Sequence, residues 1–456
     1  MAPAGSVGPA ASASKAAPAS PLLGAPILSS VLRLAWPGVL LVLFQSAVSI
    51  ADTHFVGRFG TAPLAGLALV FPFVMMMQML SAGAIGGGVS SAIARALGAG
   101  DKARAEALLA HALVLAIVLG CLFALFMLVA GPPVYRLLGG RGEVLEYAIT
   151  YSTILFAGSP SVWVANFCAN ALRGQGDTLK PSLMLSLAAL VHIPLTAWLT
   201  LRMGIAGAAW AYVIAFFAGA LFLVIMILRG AGKLRLRFRA THWQRRHFAD
   251  ILGVGLVSGL SAIQTVLAAL VLTGVVARFG TDALAGYGVG VRLELLLVPL
   301  TFAVGAALVP LTGTHVGAGH YERAKRIAWA GAGLGATVAG VIGFTVALQP
   351  SLWLDLFTQD VNVRATGSAY LHTVAPFYVC VGIAVALYFA SQGARRVGWP
   401  VLAGTARLIV AAGGGWVAVQ SGAGLDTVFA FIAAGLITWA VVTALAIRLV
   451  SWKPRV

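Results

Sequence analysis

"RFGTAPLAG", residues 58–66, returns as "RFGTDALAG", residues 278–286, an offset of 278 − 58 = 220. Further landmarks repeat in the same order around it. "GAGDKARA" at 98–105 becomes "GAGHYERA" at 317–324, and Gly174 with Pro181 becomes Gly393 with Pro400, both at offset 219. The chain therefore holds two copies of one unit, and the fold follows from what each copy contains.

Composition says what that is. Of the 456 residues, 60% are hydrophobic and 9% charged, where an ordinary globular chain carries about 25% charged residues. That much apolar surface does not fit a soluble core, so the expectation is a polytopic membrane protein. Stretches of about 20 apolar residues, enough to cross a bilayer, fall at 34–57, 63–91, 105–130, 145–171, 181–201 and 206–228. Six more lie at 249–276, 283–312, 324–349, 367–391, 399–419 and 427–449. Six helices per copy is an even number, so both copies start on the same side and are related by an axis along the membrane normal. The predicted fold is an all-α integral membrane protein of twelve transmembrane helices in two parallel six-helix repeats. Residues 1–30 read as a disordered cytoplasmic tail, 31–230 as an N-lobe, 231–248 as a basic cytoplasmic linker and 249–456 as a C-lobe. Two such bundles leave a central cleft, an architecture for alternating access.

Charge sets the orientation. The termini and the loops after helices 2, 4, 6, 8 and 10 hold 22 of the 30 Lys and Arg, the opposite loops hold 6, and Arg292 and Arg407 lie within spans. Positive charge is retained on the cytoplasmic side, so both termini are expected there, in a cell (inner) membrane. The densest cluster, "GKLRLRFRATHWQRRHF" at 232–248, reads as a linker facing anionic headgroups, which accounts for the +17 net charge without a nucleic-acid partner. Cys121, Cys168 and Cys380 fall in apolar segments at spacings that fit neither a zinc site nor a disulfide framework, and read as packing residues.

Against this background a few polar side chains stand out. Asp52 sits in "SIADTHFVGRFG" toward the outer end of helix 1, where a carboxylate is costly and marks function by default; the alternative is an acid reaching for the interface. His192, on an apolar helix, is either a satisfied hydrogen-bonding group or a proton carrier, and Pro194 frees a carbonyl that could partner it. Arg292 and Glu294, two residues apart, do not face each other on a helix. Arg407 on helix 11 is thus the natural partner for Glu294, in a C-lobe polar network that is structural or takes part in transport. Gln45, seven residues before Asp52, shares its face and is a cavity candidate, as are Tyr151, Thr196, Tyr212 and Gln264. Asn166 and Asn170 share a face of helix 4 and read as packing residues. Met75, Met76, Met77 and Met79 offer an adaptable apolar surface or plain core.

The blocks "ADTHFVGRFGTAPLAGLAL", "LRGQGDTLKP", "GYGVGVRLELLLVPLTFAVGAALVPLTGTHVGAGHYERA" and "ALYFASQGARRVGWPVLAGTARL" resemble the multidrug and toxic compound extrusion (MATE) transporters, in their DinF-like branch. The likeness runs from about residue 32 to the last helix. It implies an exporter of organic cations or other amphipathic compounds, driven by inward proton or sodium flow, with Asp52 at the family's coupling aspartate. Relatives often carry an Asn and an Asp four residues apart on the fifth helix. Here "ALVHIPLTAW" puts His192 and Thr196 there, and Tyr212 replaces a helix 6 threonine. Helix 7 offers Gln264 where the NorM-like branch has an acid, and helix 10 has none. A sodium site is thus short of oxygen ligands, and proton coupling through Asp52, with His192 as partner, is the expectation. No cofactor, metal or enzymatic role is expected, and the partners are small amphipathic substrates and membrane lipids around a monomer. The competing readings are a lipid-linked precursor flippase, a sodium-coupled exporter of a metabolite or organic acid, a membrane-embedded enzyme and a passive channel.

Overall fold

The computed structural model describes residues 22–230, 232–236 and 242–453, all-helical with no strand among them. Eleven helices are long and apolar enough to cross a bilayer, including Ile27–Gly57, Thr61–Gly98, Lys102–Leu137, Leu179–Met203 and Ile205–Leu228, which are helices 1, 2, 3, 5 and 6. Helices 7 to 12 are Arg245–Phe279, Thr281–Gly317, Tyr321–Leu348, Val361–Gly393, Gly398–Gln420 and Leu425–Leu449. Helix 4 is the twelfth. It is split into Gly142–Ala157 and Ser159–Gly174 at the turn before Pro160, because proline lacks the N–H that would continue the ladder. Helix 10 is interrupted in the same way, by a 3₁₀ turn at Ala375–Phe377 that contains Pro376. Large apolar side chains such as Leu43, Leu122, Phe126, Phe217 and Leu270 stay exposed, the surface expected of helices that face lipid rather than water.

The repeated motif has a physical cause. Gly60 and Gly280 carry φ of 112° and 103° at the turns from helix 1 to 2 and from helix 7 to 8, a region that glycine alone enters without strain. The closing glycines of the motif admit the lobe's fourth helix. A Cβ on Gly66 would lie 2.9 Å from the Tyr147 side chain, and one on Gly286 would lie 2.6 Å from the Val363 carbonyl. Helix 3 begins with Asp101 capping the Arg104 N–H at 2.9 Å, a saturated helix-end donor.

The buried apolar side chains form one cluster from Leu41 to Ile251, another from Leu272 to Leu436, and a third in which Leu22, Val31 and Leu34 pack on Val304, Leu308 and Ile327. Each half thus has a core of its own, and the start of helix 1 is packed into the second half. The halves meet at the ends that carry most of the Lys and Arg, here called the basic face. There helices 2 and 8 cross reciprocally: a Cβ on Gly98 would lie 2.1 Å from the Thr314 carbonyl, and one on Gly317 equally close to that of Arg95. Asp250 on helix 7, its side chain 4% exposed, bridges Arg95 at 2.7 Å and Arg104 at 2.8 Å from the first half and Arg395 at 3.2 Å from the second. Ser91 donates to the Gln392 carbonyl at 2.5 Å. The outer part of helix 2, Thr61–Gln78, packs instead on helices 1, 3 and 4 of its own half.

Two boundaries differ from the expectation. Residues 1–21 of the expected tail lie outside the described residues, but 22–30 are ordered: Leu22 is buried, helix 1 starts at Ile27, and Arg323 donates to the Ala25 carbonyl at 2.7 Å. The linker, of which 231 and 237–241 lie outside the described residues, is tied to the first half. Gln175 accepts from the Lys233 N–H at 2.7 Å and His111 accepts from that of Gln244 at 3.1 Å. Helix 7 begins at Arg245, four residues earlier than expected.

Candidate functional site

Asp52 is buried, 8% exposed, in the last turns of helix 1. Its Oδ1 lies 2.8 Å from His192 Nε2 and accepts from the Thr196 hydroxyl at 3.1 Å. His192 and Thr196 are four residues apart and stack on one face of helix 5, so a single helix supplies both partners. His192 is itself buried, and its partner is the carboxylate rather than a carbonyl released by Pro194. An imidazole N–H donating to an ionised carboxylate makes a charge-assisted bond, roughly twice as strong as a neutral one.

A shell of polar aromatic and amide groups closes around the pair. Tyr212 of helix 6 stands edge-on to the His192 ring, centroids 6.0 Å apart, and Tyr151 of helix 4 is buried and within the electrostatic reach of Asp52. Gln78 of helix 2 donates to the Tyr212 hydroxyl at 2.9 Å and accepts from Asn166 Nδ2 at 2.9 Å. Asn166 also donates to Ser81 at 2.8 Å, and Asn170 to the Ala82 carbonyl at 3.0 Å. The two asparagines thus pack helix 4 on helix 2, as their spacing suggests. Gln78 was not among the sequence candidates; its signal is a lone amide in the apolar run "MMMQML".

Of the other candidates, Gln45 is exposed although it shares the Asp52 face. Gln264 reaches across to helix 11, donating to the Thr405 hydroxyl at 2.7 Å, while its own carbonyl oxygen is buried without a partner. In the second half Arg407 meets Glu294 at 2.8 Å, and the Tyr370 hydroxyl donates to the other carboxylate oxygen at 3.3 Å. The Arg407 guanidinium lies 4.7 Å over the Trp439 ring. Arg292 takes no part in this group. It points away, exposed, over Phe357 at 5.6 Å, because residues two apart on a helix diverge.

Two six-helix halves clasped at one face, with a buried acid in each, define a multi-pass carrier. The MatE family model matches the chain twice, over residues 37–198 and 258–417, one match per half, and the chain belongs to that family, the multidrug and toxic compound extrusion transporters. It is a membrane transporter and not an enzyme. It is 26% identical to the FAD transporter of Shewanella oneidensis over 388 residues, 82% of this chain and 84% of that protein. It is also 25% identical to a probable multidrug resistance protein, YoeA, of Bacillus subtilis, covering 80% of this chain and 81% of that one. Among solved structures it superposes on a MOP superfamily transporter from Pyrococcus furiosus, described as having a binding pocket of reversed polarity, with TM-score 0.89, 26% identity and coverage of 96% and 98%. An outward-facing multidrug resistance MATE transporter matches with TM-score 0.88, 26% identity and the same coverage.

Proposed function

We propose that this carrier exports small amphipathic, often cationic, organic compounds across the cell membrane, driven by protons moving inward through Asp52. The observation that carries the reading is the contact set of Asp52: one imidazole, one hydroxyl and, among the described residues, no second carboxylate. A hard monovalent cation seeks a cage of oxygen ligands, and an imidazole N–H pointing at the carboxylate disfavours any metal ion there. A proton needs only the carboxylate and a neighbour able to take up or give up charge, which imidazole does near neutral pH. The substrate class rests on relatives named for multidrug resistance and export.

In this proposal the basic face is cytoplasmic and both termini lie on that side, in keeping with its 22 of 30 Lys and Arg. The conformation described, clasped at the basic face, is then outward-facing. Charged Asp52 keeps the N-lobe receptive to a cationic or amphipathic guest while the lobes face inward. After they rock outward, a proton from outside neutralises the carboxylate, weakens its hold on both His192 and the guest, and the guest leaves. The return of the protonated, neutral site carries the proton inward down the pH difference. Exchange for a singly charged cation is electroneutral, whereas with an uncharged guest the cycle moves one net charge and the membrane potential adds about 2.3 kcal/mol per 100 mV. One chain contains both lobes, so a monomer suffices.

The test is dye efflux in inverted vesicles, wild type against Asp52→Asn, under a proton gradient alone and then a sodium gradient alone. Proton-driven efflux that disappears in the variant supports the proposal. Efflux driven by sodium, or surviving the substitution, overturns it.

A further inference from the structure

The Asp52–His192 pair lies deep in one half, whereas the clasp that closes the basic face is made between halves. Proton coupling requires the first to influence the second, and a route is visible in a chain of part-buried and buried hydrogen bonds. His192 packs on Tyr212, Tyr212 accepts from Gln78, and Gln78 accepts from Asn166, which also holds Ser81. Gln78 is the last residue of the regular α-helix. At Met79–Ala84 helix 2 winds as a π-helix, a form found mostly as single turns at functional sites.

The far side of that π turn belongs to the clasp. Gln392 of helix 10 donates to the Gly83 carbonyl at 3.2 Å and to Ser258 of helix 7 at 3.0 Å. Three adjacent glycines admit the partners. A Cβ on Gly86 would lie 2.4 Å from Asn170 Nδ2, one on Gly87 would lie 2.3 Å from Gln392 Oε1, and one on Gly88 would lie 2.5 Å from the Ile251 carbonyl. One helical turn thus touches the N-lobe amide ladder on one side and helices 7 and 10 of the C-lobe on the other. Two turns further along the same helix, Arg95 grips Asp250.

We infer that Gln78 is the coupling residue that ties the state of the Asp52–His192 pair to closure of the lobes, through the π turn of helix 2. This rests on the proton-driven reading above. Groups facing the pair from the surrounding helices are Thr196, Tyr151 and Tyr212; of these Tyr212 is bonded to helix 2, through Gln78. When Asp52 gains a proton its charge-assisted bond to His192 weakens to a neutral one, the ring is freer to shift, Tyr212 follows the ring, and Gln78 must exchange its hydroxyl partner or turn with it. Gln78 is half-buried, and leaving such an amide unpaired costs free energy, so the change passes to Asn166 and the π turn, whose alternative is an ordinary α turn. That rewinding shifts Gly83 and Gly87 against Gln392 and loosens the clasp.

The experiment places nitroxide labels on the full chain at Lys102→Cys and His320→Cys, exposed positions of opposite halves on the basic face, with Cys121, Cys168 and Cys380 replaced by Ala. Label separation is measured in nanodiscs at about pH 6 and about pH 8, either side of the ordinary imidazole range. The unsubstituted ladder gives a pH-driven change in separation, and Asp52→Asn abolishes it. Gln78→Met and Tyr212→Phe abolish it too, although Tyr212→Phe keeps the ring on His192 and removes only the hydroxyl that Gln78 holds. A merely structural ladder lowers thermal stability and leaves the pH-driven change intact. Retention of the full change in either variant overturns the inference, and Tyr212→Phe decides alone if Gln78→Met does not fold. Absence of the change with the ladder unsubstituted counts against the proton reading itself, a different failure.

Discussion

Each half of the molecule holds an acid paired with a base from its own fifth helix, but the acids stand on different helices and the bases differ. In the first half Asp52 of helix 1 meets His192, with Tyr151 of helix 4 beside them; in the second the partly buried Glu294 of helix 8 meets Arg407, with Tyr370 of helix 10. Tyr151 and Tyr370 are equivalent by the repeat, since 370 − 151 = 219, the offset of the glycine and proline landmarks. The base separates the two sites. Guanidinium stays charged at any physiological pH and grips a carboxylate through a rigid fork, whereas imidazole changes charge within it. The first half carries a pair able to exchange a proton, and the second carries its own fixed cation, seated against Glu294 and Trp439. Under the proton-driven proposal the first half drives and the second, a copy of the same repeat, is a scaffold.

The largest effect expected is that of Asp52→Asn, which removes the exchangeable charge and keeps the shape. Proton-driven efflux should fall to the level of empty vesicles, while thermal stability changes little because the amide can still accept from His192 and Thr196. The mirror substitution is Arg407→Ala. It strands Glu294 in a site where the pair is 17% and 12% exposed, and breaking such a buried pair costs about 3 kcal/mol or more. A clear drop in the unfolding temperature in detergent is expected. The double variant Glu294→Gln with Arg407→Gln should recover much of that drop and still pump; a double variant that folds but no longer couples to protons would make both halves drivers.

How much of this can be read in the sequence differs from residue to residue. The Glu294–Arg407 pair follows from the rule that residues two apart diverge, which left Arg292 aside and required a partner on another helix. Gly60 and Gly280 announce the repeat because a turn needs them. Gln78 is different. Its partners depend on the rotation of helix 2, and the π turn right after it adds a residue per turn and rotates every later face, so a 3.6-residue periodicity gives the wrong neighbours beyond Met79. Gln45 shows the same limit from another direction. Seven residues place it on the Asp52 face, but one level of that face is packed and the other open. The breaks in helices 4 and 10 were hidden because a proline within a span is tolerated where neighbours satisfy the freed groups.

A smaller effect is expected from His192→Gln. The amide keeps an N–H for Asp52 but cannot take a charge, so export should persist at a reduced rate with the part of its pH profile between about pH 5 and 8 flattened. The rate measured across that range checks it, and a profile of unchanged shape would assign the titration to Asp52 alone.

The smallest effect is expected from Arg292→Ala. Its guanidinium lies 5.6 Å over Phe357 with the side chain exposed, and an exposed contact of that kind contributes about 0.5 to 1 kcal/mol. Unfolding temperature and efflux should both stay close to wild type. The value of this variant lies in what it tests about the second half. If Arg292 were a mobile cation able to replace Arg407 on Glu294 as the lobes rock, its removal would slow transport without destabilising the resting form, and the C-lobe pair would be a switch rather than a scaffold. Efflux that is unchanged in Arg292→Ala, together with a stability loss confined to Arg407→Ala, leaves Arg407 as the fixed cation of that half and the imidazole of the other half as the part that moves charge.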